Sequence, residues 1–242
     1  MPDKHVDLTD AVYNYLLAQR SDANDPLLAA LYADTLAMGE VGRLAVTPLQ
    51  TSIISLLAGL IGTKWGAVIG TFTGMSSIAI ARNLMPGGKV FCFDQDFKYT
   101  SMARRYWIKA QLQDRIDLRL GDARRLVPFF RPREMLDFVC IDADKESYPL
   151  YFDHLCPYVR AGGMIVLDNT LRGGELSDPN LRNKPINRAM DAFNRKLAAD
   201  TRVQVVLLPV ADGMTICRKM PAPNAEVRRV IDTRQLDRAR LE

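Results

Sequence analysis

Apolar residues in the N-terminal part of the chain follow the spacing of amphipathic helices. Between residues 10 and 38 they recur at intervals of three and four positions, which predicts two helices. Asp25-Pro26 and Thr47-Pro48 each place a capping side chain directly before a proline, which is typical of a helix start. The second start predicts an apolar helix that ends near Gly62. Helices are therefore predicted to precede every strand.

Beyond this region, short apolar runs alternate with helical stretches. Seven runs predict strands, at residues 67–70, 89–94, 116–122, 136–142, 163–169, 203–210 and 214–219. Continuously apolar runs separated by helices are typical of a parallel sheet that is covered on both faces. Only Ala211-Asp212-Gly213 separates the last two runs, so these are predicted to form an antiparallel hairpin. The predicted fold class is α/β, a Rossmann-like seven-stranded sheet, mostly parallel with an antiparallel last strand and helices on both faces.

The predicted elements define one domain followed by a tail. Residues 1–219 contain these helices and strands, and residues 1–50 are predicted to form a helical lid with its connector. After Met220 the composition changes to Pro221-Ala222-Pro223 and then to many charged residues, so residues 220–242 are predicted to be a charged C-terminal tail. A length of 242 residues agrees with one compact domain plus such additions.

Composition excludes several classes of protein. Hydrophobic residues make up 48% and charged residues 25%, near the globular average, which excludes a disordered or collagen-like chain. The 32 Lys and Arg exceed the 28 Asp and Glu only slightly, so nucleic-acid binding is permitted but not implied. The longest apolar run, residues 53–62, is too short for a membrane span, which needs about 20 residues. With no secretory signal and four widely spaced cysteines, the protein is predicted to be cytoplasmic, without a membrane partner.

A glycine-bearing turn follows the first predicted strand. Gly70-Thr71-Phe72-Thr73-Gly74 leads directly into a helix, and such a turn lets a ligand approach the backbone closely. Phe72 stands where the dinucleotide fingerprint requires glycine, which argues against a nicotinamide or flavin cofactor. Asp94 ends the second strand, at close to the spacing of about 20 residues expected for an acid that binds ribose hydroxyls. Together these residues indicate a nucleoside ligand, although a GxxxG turn alone could serve only packing.

The polar residues best suited to chemistry follow the fourth and fifth strands. These are Asp142-Ala143-Asp144-Lys145 and Asp168-Asn169, and the carboxyl ends of parallel strands line one crevice. Two carboxylates and a carboxamide are hard oxygen ligands, which favours Mg²⁺ or Ca²⁺ over zinc. Neighbouring residues of a strand point to opposite faces, so Asp168 and Asn169 can share a metal only if the strand ends there. The alternative is a pair of unrelated acids at strand ends.

The sequence gives less support to two other kinds of activity. The chain contains no GxSxG sequence, so a serine hydrolase is not expected. A basic stretch between residues 98 and 133 holds 10 Lys or Arg against 3 acids, with Tyr106 and Trp107 among them, which would suit RNA. These charges are spread over a predicted helix and strand, so a solvated surface is the favoured interpretation.

Four separated motifs together resemble one known family. They are Val68-Ile69-Gly70-Thr71-Phe72-Thr73-Gly74-Met75-Ser76, Asp142-Ala143-Asp144-Lys145, Asp168-Asn169-Thr170-Leu171 and Leu208-Pro209-Val210-Ala211-Asp212-Gly213. In this order, within residues 10–219, they resemble the cation-dependent O-methyltransferases of the catechol and caffeoyl-coenzyme A type. The resemblance implies S-adenosylmethionine as methyl donor, a divalent cation, usually Mg²⁺, and a homodimer.

The resemblance also implies roles for individual residues. Lys145 matches the catalytic lysine, and the implied cation ligands are Asp142, Asp168 and Asn169. The residues implied to bind the donor are Val46, Val68, Gly70, Thr71, Ser76, Asp94, Ala123 and Asp142. Val68 stands where relatives usually have glutamate. Arg172 stands where relatives often carry an aromatic residue beside the acceptor, so it is predicted to contact the acceptor.

The leading hypothesis is an S-adenosylmethionine-dependent and cation-dependent O-methyltransferase. Its acceptor is expected to be a small molecule with vicinal oxygens, a catechol or another chelating diol such as a secondary metabolite, and no nucleic-acid partner is expected. An RNA methyltransferase is the first alternative, which oligonucleotide competition in a methyl-transfer assay would distinguish. A non-catalytic module that binds S-adenosylmethionine is the second, and the intact Asp142, Lys145, Asp168 and Asn169 argue against it.

Overall fold

A seven-stranded sheet lies at the centre of the structure, a computed structural model that describes residues 6–222. The strands are β1 (Trp65–Ile69), β2 (Lys89–Asp94), β3 (Ile116–Leu120), β4 (Leu136–Ile141), β5 (Val159–Asp168), β6 (Val203–Leu208) and β7 (Met214–Lys219). In space they follow the order β3-β2-β1-β4-β5-β7-β6. Strand β7 runs antiparallel to both of its neighbours, whereas the pairs from β3 to β5 are parallel. The predicted fold class and the terminal hairpin are confirmed.

Helices cover both faces of this sheet. They are α1 (Asp10–Ala18), α2 (Pro26–Leu36), α3 (Pro48–Leu60), α4 (Met75–Arg82), α5 (Phe97–Lys109), α6 (Ala123–Leu126), α7 (Tyr148–Leu155) and α8 (Pro185–Ala199). Alternate residues of a strand enter different cores, because successive side chains point to opposite faces. Val68 packs in the core formed with α2 to α5, whereas Ala67 and Ile69 pack in the core formed with α7 and α8.

The predicted helix starts are confirmed by their capping bonds. The Asp25 side chain accepts hydrogen bonds from the backbone of Leu27 and Leu28 at the start of α2. At the start of α3, the Thr47 side chain accepts from the Gln50 backbone while the Gln50 side chain accepts from the Thr47 backbone. Such reciprocal bonds satisfy two of the amide groups that a helix start leaves unpaired. Helix α3 therefore begins at a fixed point.

Several strand boundaries differ from those predicted, and two of these differences, at the start of β5 and the end of β3, have a clear local cause. Strand β5 begins at Val159, four positions before the predicted start. Gly162 and Gly163 favour a break, which led to the later predicted start, but both lie within the strand. A Cβ atom on Gly163 would lie 2.8 Å from the carbonyl oxygen of Asp137, so this glycine permits close approach to β4. Strand β3 ends at Leu120, two residues early, because the Asp122 side chain caps α6 instead of extending the strand. In both places a local residue preference misled the prediction.

Helix α3 has one buried and one exposed apolar face. Ile54 and Ala58 are buried in the core, whereas Leu56 and Leu60 are exposed. Among the residues described, one segment, Gly39–Leu60, is long and apolar enough to cross a membrane, judged by length and composition only. In the structure this segment consists of a short 3₁₀ helix, Gly39–Leu44, followed by α3.

The predicted division into one domain and a C-terminal tail stays a prediction. The predicted tail, residues 220–242, lies outside the described residues from 223 onward. The preceding Met220 donates its backbone N–H to the carbonyl of Arg202, which attaches the end of β7 to the start of β6. All four cysteines are free and buried, as expected for thiols without a zinc or disulfide role.

Candidate active site

A cleft of about 700 Å³ opens at the carboxyl ends of β1, β2, β4 and β5. This volume is in the usual range for small-molecule sites. Eight predicted site residues line it, namely Gly70, Asp94, Ala123, Asp142, Lys145, Asp168, Asn169 and Arg172. Four others are buried and outside the lining, namely Val46, Val68, Thr71 and Ser76. Donor contacts at these four positions remain predictions.

Both glycines of the turn after β1 are required by close packing. Gly70 has a φ of +86°, and a Cβ atom there would lie 1.9 Å from the carbonyl oxygen of Asp142. Gly74 has a φ of +102°, and its Cβ would lie 3.0 Å from side-chain atoms of Ala103 and Trp107. Packing is therefore a real function of the GxxxG turn. It also brings the backbone of β1 directly against the loop that carries Asp142.

Asp94 holds this turn through backbone hydrogen bonds. Its Oδ2 accepts from the N–H groups of Thr71 (2.9 Å) and Phe72 (2.7 Å), and its Oδ1 accepts from Asp96 (2.8 Å). Each carboxylate oxygen can accept more than one bond, so these contacts leave acceptor capacity toward the cleft. Asp94 thus shapes the turn in addition to facing the cleft, a role that sequence spacing did not reveal.

Aromatic and small residues form the rest of the cleft around Asp94. Phe72 and Tyr99 meet edge to face, with ring centroids 4.9 Å apart, and both line the cleft. Ala123 is the first residue of α6, directly after the capping Asp122. This end of the cleft therefore combines flat apolar surface with the carboxylates of Asp94, Asp96 and Asp122.

At the other end, Lys145 lies between two oxygen acceptors. Its Nζ donates to Asp142 Oδ1 at 2.8 Å and to the hydroxyl oxygen of Tyr148 at 2.9 Å. The Tyr148 hydroxyl in turn donates to the backbone carbonyl of Asp168 at 2.9 Å. Burial raises the pKa of Tyr148 well above its ordinary value, and the nearby carboxylates add to the shift, so this hydroxyl stays protonated. Tyr148 was missed in the sequence, although its spacing of three residues from Lys145 was a usable signal.

The end of β5 brings Asp168 and Asn169 into the lining of the same cleft. The strand ends at Asp168, and Asn169 adopts a left-handed conformation with a φ of +56°, so the two residues do not continue the strand alternation. Asp168 is only 4% exposed. Burial, and next the charge of Asp142, raise the pKa of Asp168 above its usual range.

These residues fit a hard divalent cation. A buried carboxylate beside a second carboxylate is costly unless positive charge compensates it, and Lys145 supplies only one such charge. Carboxylate and amide oxygens are the ligands that Mg²⁺ and Ca²⁺ prefer. Within residues 6–222 no group of three His, Cys, Asp or Glu is arranged for a metal, so a cation held here would need the Asn169 amide as its third protein ligand.

Gln50 is a further residue that the sequence did not indicate. It is 2% exposed, and its Nε2 donates to Asp168 Oδ1 at 2.6 Å. Its Oε1 accepts from the Thr47 backbone N–H at 2.9 Å, which fixes the orientation of the amide. The helix cap was visible in the sequence, but its contact with a residue 118 positions away was not. Gln50 therefore orients Asp168.

The N-terminal segment contributes one wall of the cleft. Arg43, Leu44 and Ala45 of the segment predicted to be a lid line it, and its function as a lid stays a prediction. Helix α2 contacts the glycine turn directly, since the Thr35 hydroxyl donates to the Thr73 hydroxyl at 2.8 Å. The lid and the turn are therefore in direct contact.

Known proteins share both this sequence pattern and this fold. Residues 18–220 match the family model described as O-methyltransferase. The chain is 36% identical over 174 residues to the "Probable caffeoyl-CoA O-methyltransferase 2" of Dictyostelium discoideum, which covers 71% of this chain and 75% of that protein. It is 32% identical over 212 residues to the catechol O-methyltransferase domain-containing protein 1 of Mus musculus, with 86% and 80% covered.

A solved structure gives the same result. The O-methyltransferase from Bacillus cereus in complex with SAH superposes with a TM-score of 0.77 at 30% identity, over 86% of this chain and 97% of that one. The family predicted from the four motifs is confirmed. The chain therefore belongs to the O-methyltransferase family that includes the caffeoyl-coenzyme A enzymes.

Proposed function

We propose that this protein transfers a methyl group from S-adenosylmethionine to one of two vicinal oxygens of a small molecule, with the help of a divalent cation. The observation that supports this proposal most strongly is that Asp142, Asp168 and Asn169 line one end of a cleft together with Lys145. The bound SAH in the Bacillus cereus relative supports the donor, because SAH is what the donor becomes after methyl transfer.

The two ends of the cleft suggest a division of tasks. Asp94 and the glycine turn would bind the donor, with the ribose hydroxyls on the Asp94 carboxylate. A cation held by Asp142, Asp168 and Asn169 would supply positive charge that orients the vicinal oxygens and favours ionisation of one. Lys145, as a free amine, would accept the proton of that hydroxyl, and Asp142 and Tyr148 hold its Nζ in place. The oxyanion would then attack the sulfonium methyl in line, so that the O–CH₃ bond would form as the S–CH₃ bond breaks and SAH would leave, while the N-terminal segment would limit the access of water.

Removal of divalent cations is expected to abolish methyl transfer, because the cation would orient the vicinal oxygens and favour ionisation of one of them, which the single charge of Lys145 beside Asp142 does not do. The measurement is transfer from labelled S-adenosylmethionine to catechol after treatment with chelator and dialysis. Adding Mg²⁺ back to the same preparation serves as the control and should restore turnover. Full activity in a metal-free preparation would contradict the proposal.

The basic stretch supports a small-molecule acceptor more than RNA. Arg115 donates to backbone carbonyls of Ala81 and Leu84, and the Arg119 guanidinium lies over aromatic rings. Arg124 pairs with Asp122. Arginine side chains that are already bound within the fold are less available to the phosphates of RNA. An RNA acceptor would instead be indicated if oligonucleotides competed with catechol in the transfer assay.

Asp94→Ala is expected to weaken SAH binding by roughly 10- to 100-fold, since a hydrogen bond to a charged group contributes about 1.5–3 kcal/mol. Isothermal titration calorimetry measures the change. Asp117→Ala is the matched control, because this acid lies on β3 outside the cleft lining. Thermal unfolding of both variants separates loss of the ribose contact from disorder of the turn. An unchanged dissociation constant would mean that the ribose binds elsewhere.

A further inference from the structure

Arg172 follows directly after the candidate cation site. Its backbone N–H donates to the carbonyl of Asn169 at 3.3 Å, so the two residues lie one turn apart. Arg172 has a φ of +55°, and Gly173 and Gly174 after it also have left-handed values of 62° and 87°. This tight turn places the Arg172 side chain in the wall of the cleft.

A buried asparagine orients the Arg172 side chain. Arg172 Nε donates to Asn187 Oδ1 at 3.4 Å, and Asn187 is completely buried. The Asn187 Nδ2 donates to Glu175 Oε2 at 2.7 Å and to the Leu181 carbonyl at 2.9 Å, so both of its protons are used. The amide oxygen must therefore face Arg172, and the bond leaves the two terminal nitrogens of the guanidinium available.

Among the described residues no carboxylate forms an ion pair with this guanidinium, although Glu175 is near enough for its charge to interact with that of Arg172. Glu175 is held by Asn187 and Lys184, and Asp212, which lines the same cleft, makes no ion pair with Arg172. Among residues 6–222, no carboxylate oxygen lies within 4.0 Å of an Arg172 nitrogen. Arg43, also without an ion pair in this part of the chain, lines the cleft from the N-terminal segment.

We propose that Arg172 binds an anionic group of the acceptor, a carboxylate or a phosphate, at a distance from the vicinal oxygens. This inference rests on the proposed function and specifies its substrate class. The planar guanidinium offers paired N–H donors that match two oxygens of such a group, whereas an aromatic side chain would offer only stacking. Arg43 adds positive charge to the same end of the cleft. The acceptor is thus a small acid that carries a chelating diol.

Three probes that share one ring and one pair of hydroxyls test this assignment. They are 3,4-dihydroxybenzoate, its methyl ester and 3,4-dihydroxyphenylphosphonate. The wild-type kcat/KM for the better of the two anions should exceed that for the neutral ester by about 10- to 100-fold, mainly through KM. If the benzoate has the higher kcat/KM, the natural acceptor carries a carboxylate, and if the phosphonate has the higher kcat/KM, it carries a phosphate.

Two variants separate Arg172 from general charge effects. Arg172→Met should lower kcat/KM for the anions by about 10- to 100-fold more than kcat/KM for the ester, which removes the preference for anions. Arg188→Met is the matched control, since Arg188 is an exposed arginine next to Asn187 that does not line the cleft. It should retain the full preference.

Several results would overturn the proposal. Equal use of anions and ester by the wild type would do so, and so would a preference that survives in Arg172→Met. Stacking of the guanidinium on the acceptor ring would give the first of these results. If none of the probes is methylated, the proposed function fails, and calorimetry with SAH-loaded protein then decides on Arg172 separately. Benzoate binding that is lost in Arg172→Met would support the anion site, and unchanged or absent binding would refute it.

Discussion

Asp168→Ala is expected to reduce turnover by at least about 10³-fold, because a cation at this site contributes several kcal/mol of transition-state stabilisation. Asp168 is the most enclosed of the three candidate ligands, and its hydrogen-bond partners, the Gln50 amide and the Asn169 backbone N–H, are donors that cannot replace its carboxylate. Mn²⁺ affinity, measured by electron paramagnetic resonance, should fall in parallel. Calorimetry with SAH should show little change, since the donor end of the cleft keeps its contacts.

Asp212→Asn is the matched control for this variant. Asp212 also lines the cleft but makes no side-chain hydrogen bond to Asp142, Lys145 or Asp168 among the described residues. Its substitution should leave Mn²⁺ affinity within a few-fold of wild type. Turnover of Asp168→Ala within tenfold of the wild type would show that the cation, if one acts, binds elsewhere.

Lys145→Met is expected to reduce turnover by roughly 10²–10⁴-fold, the usual scale of general-base catalysis. Methionine keeps most of the length and apolar stem of lysine but cannot accept a proton. The measurement is turnover against pH at saturating Mg²⁺ and acceptor. Affinities for SAH and Mn²⁺ should change little, because Asp94 and the oxygen ligands remain.

Tyr148→Phe provides a graded comparison for Lys145. It removes one of the two oxygens that hold the amine but keeps the buried ring, so its loss of turnover should be smaller than that of Lys145→Met. The lysine assignment would be wrong if Lys145→Met had near-normal turnover and the same ascending limb of the pH profile as wild type.

The fold was predictable where local pattern and tertiary context agree. The four-residue run 138–141 is continuously apolar and forms a fully buried central strand. The short Asp212-Gly213 turn joins β6 and β7 as expected. The start of β5 was not predictable, because Gly162-Gly163 favours a break unless a neighbouring strand approaches closely, and only the assembled sheet shows that it does.

The sequence likewise predicted which residues lie at the candidate site, but not all of their contacts. The positions of Asp142 and Asp168 follow from the rule that strand ends of a parallel sheet face one crevice. The roles of Gln50, Tyr148 and Asn187 do not, since each depends on a hydrogen bond to a residue on another element. Periodicity and motif spacing describe one element at a time and contain no information about such contacts.

The bond between Gln50 and Asp168 has a thermodynamic consequence. It joins the first turn of α3, next to the connector that carries Val46, to the buried carboxylate at the end of β5. A shift of α3 upon donor binding would change how that carboxylate presents its oxygens. Linkage requires the effect to be reciprocal, so any factor by which the donor tightens cation binding is the factor by which the cation tightens donor binding. Gln50 would then set the cooperativity between the two ligands, and Gln50→Met should make their affinities independent.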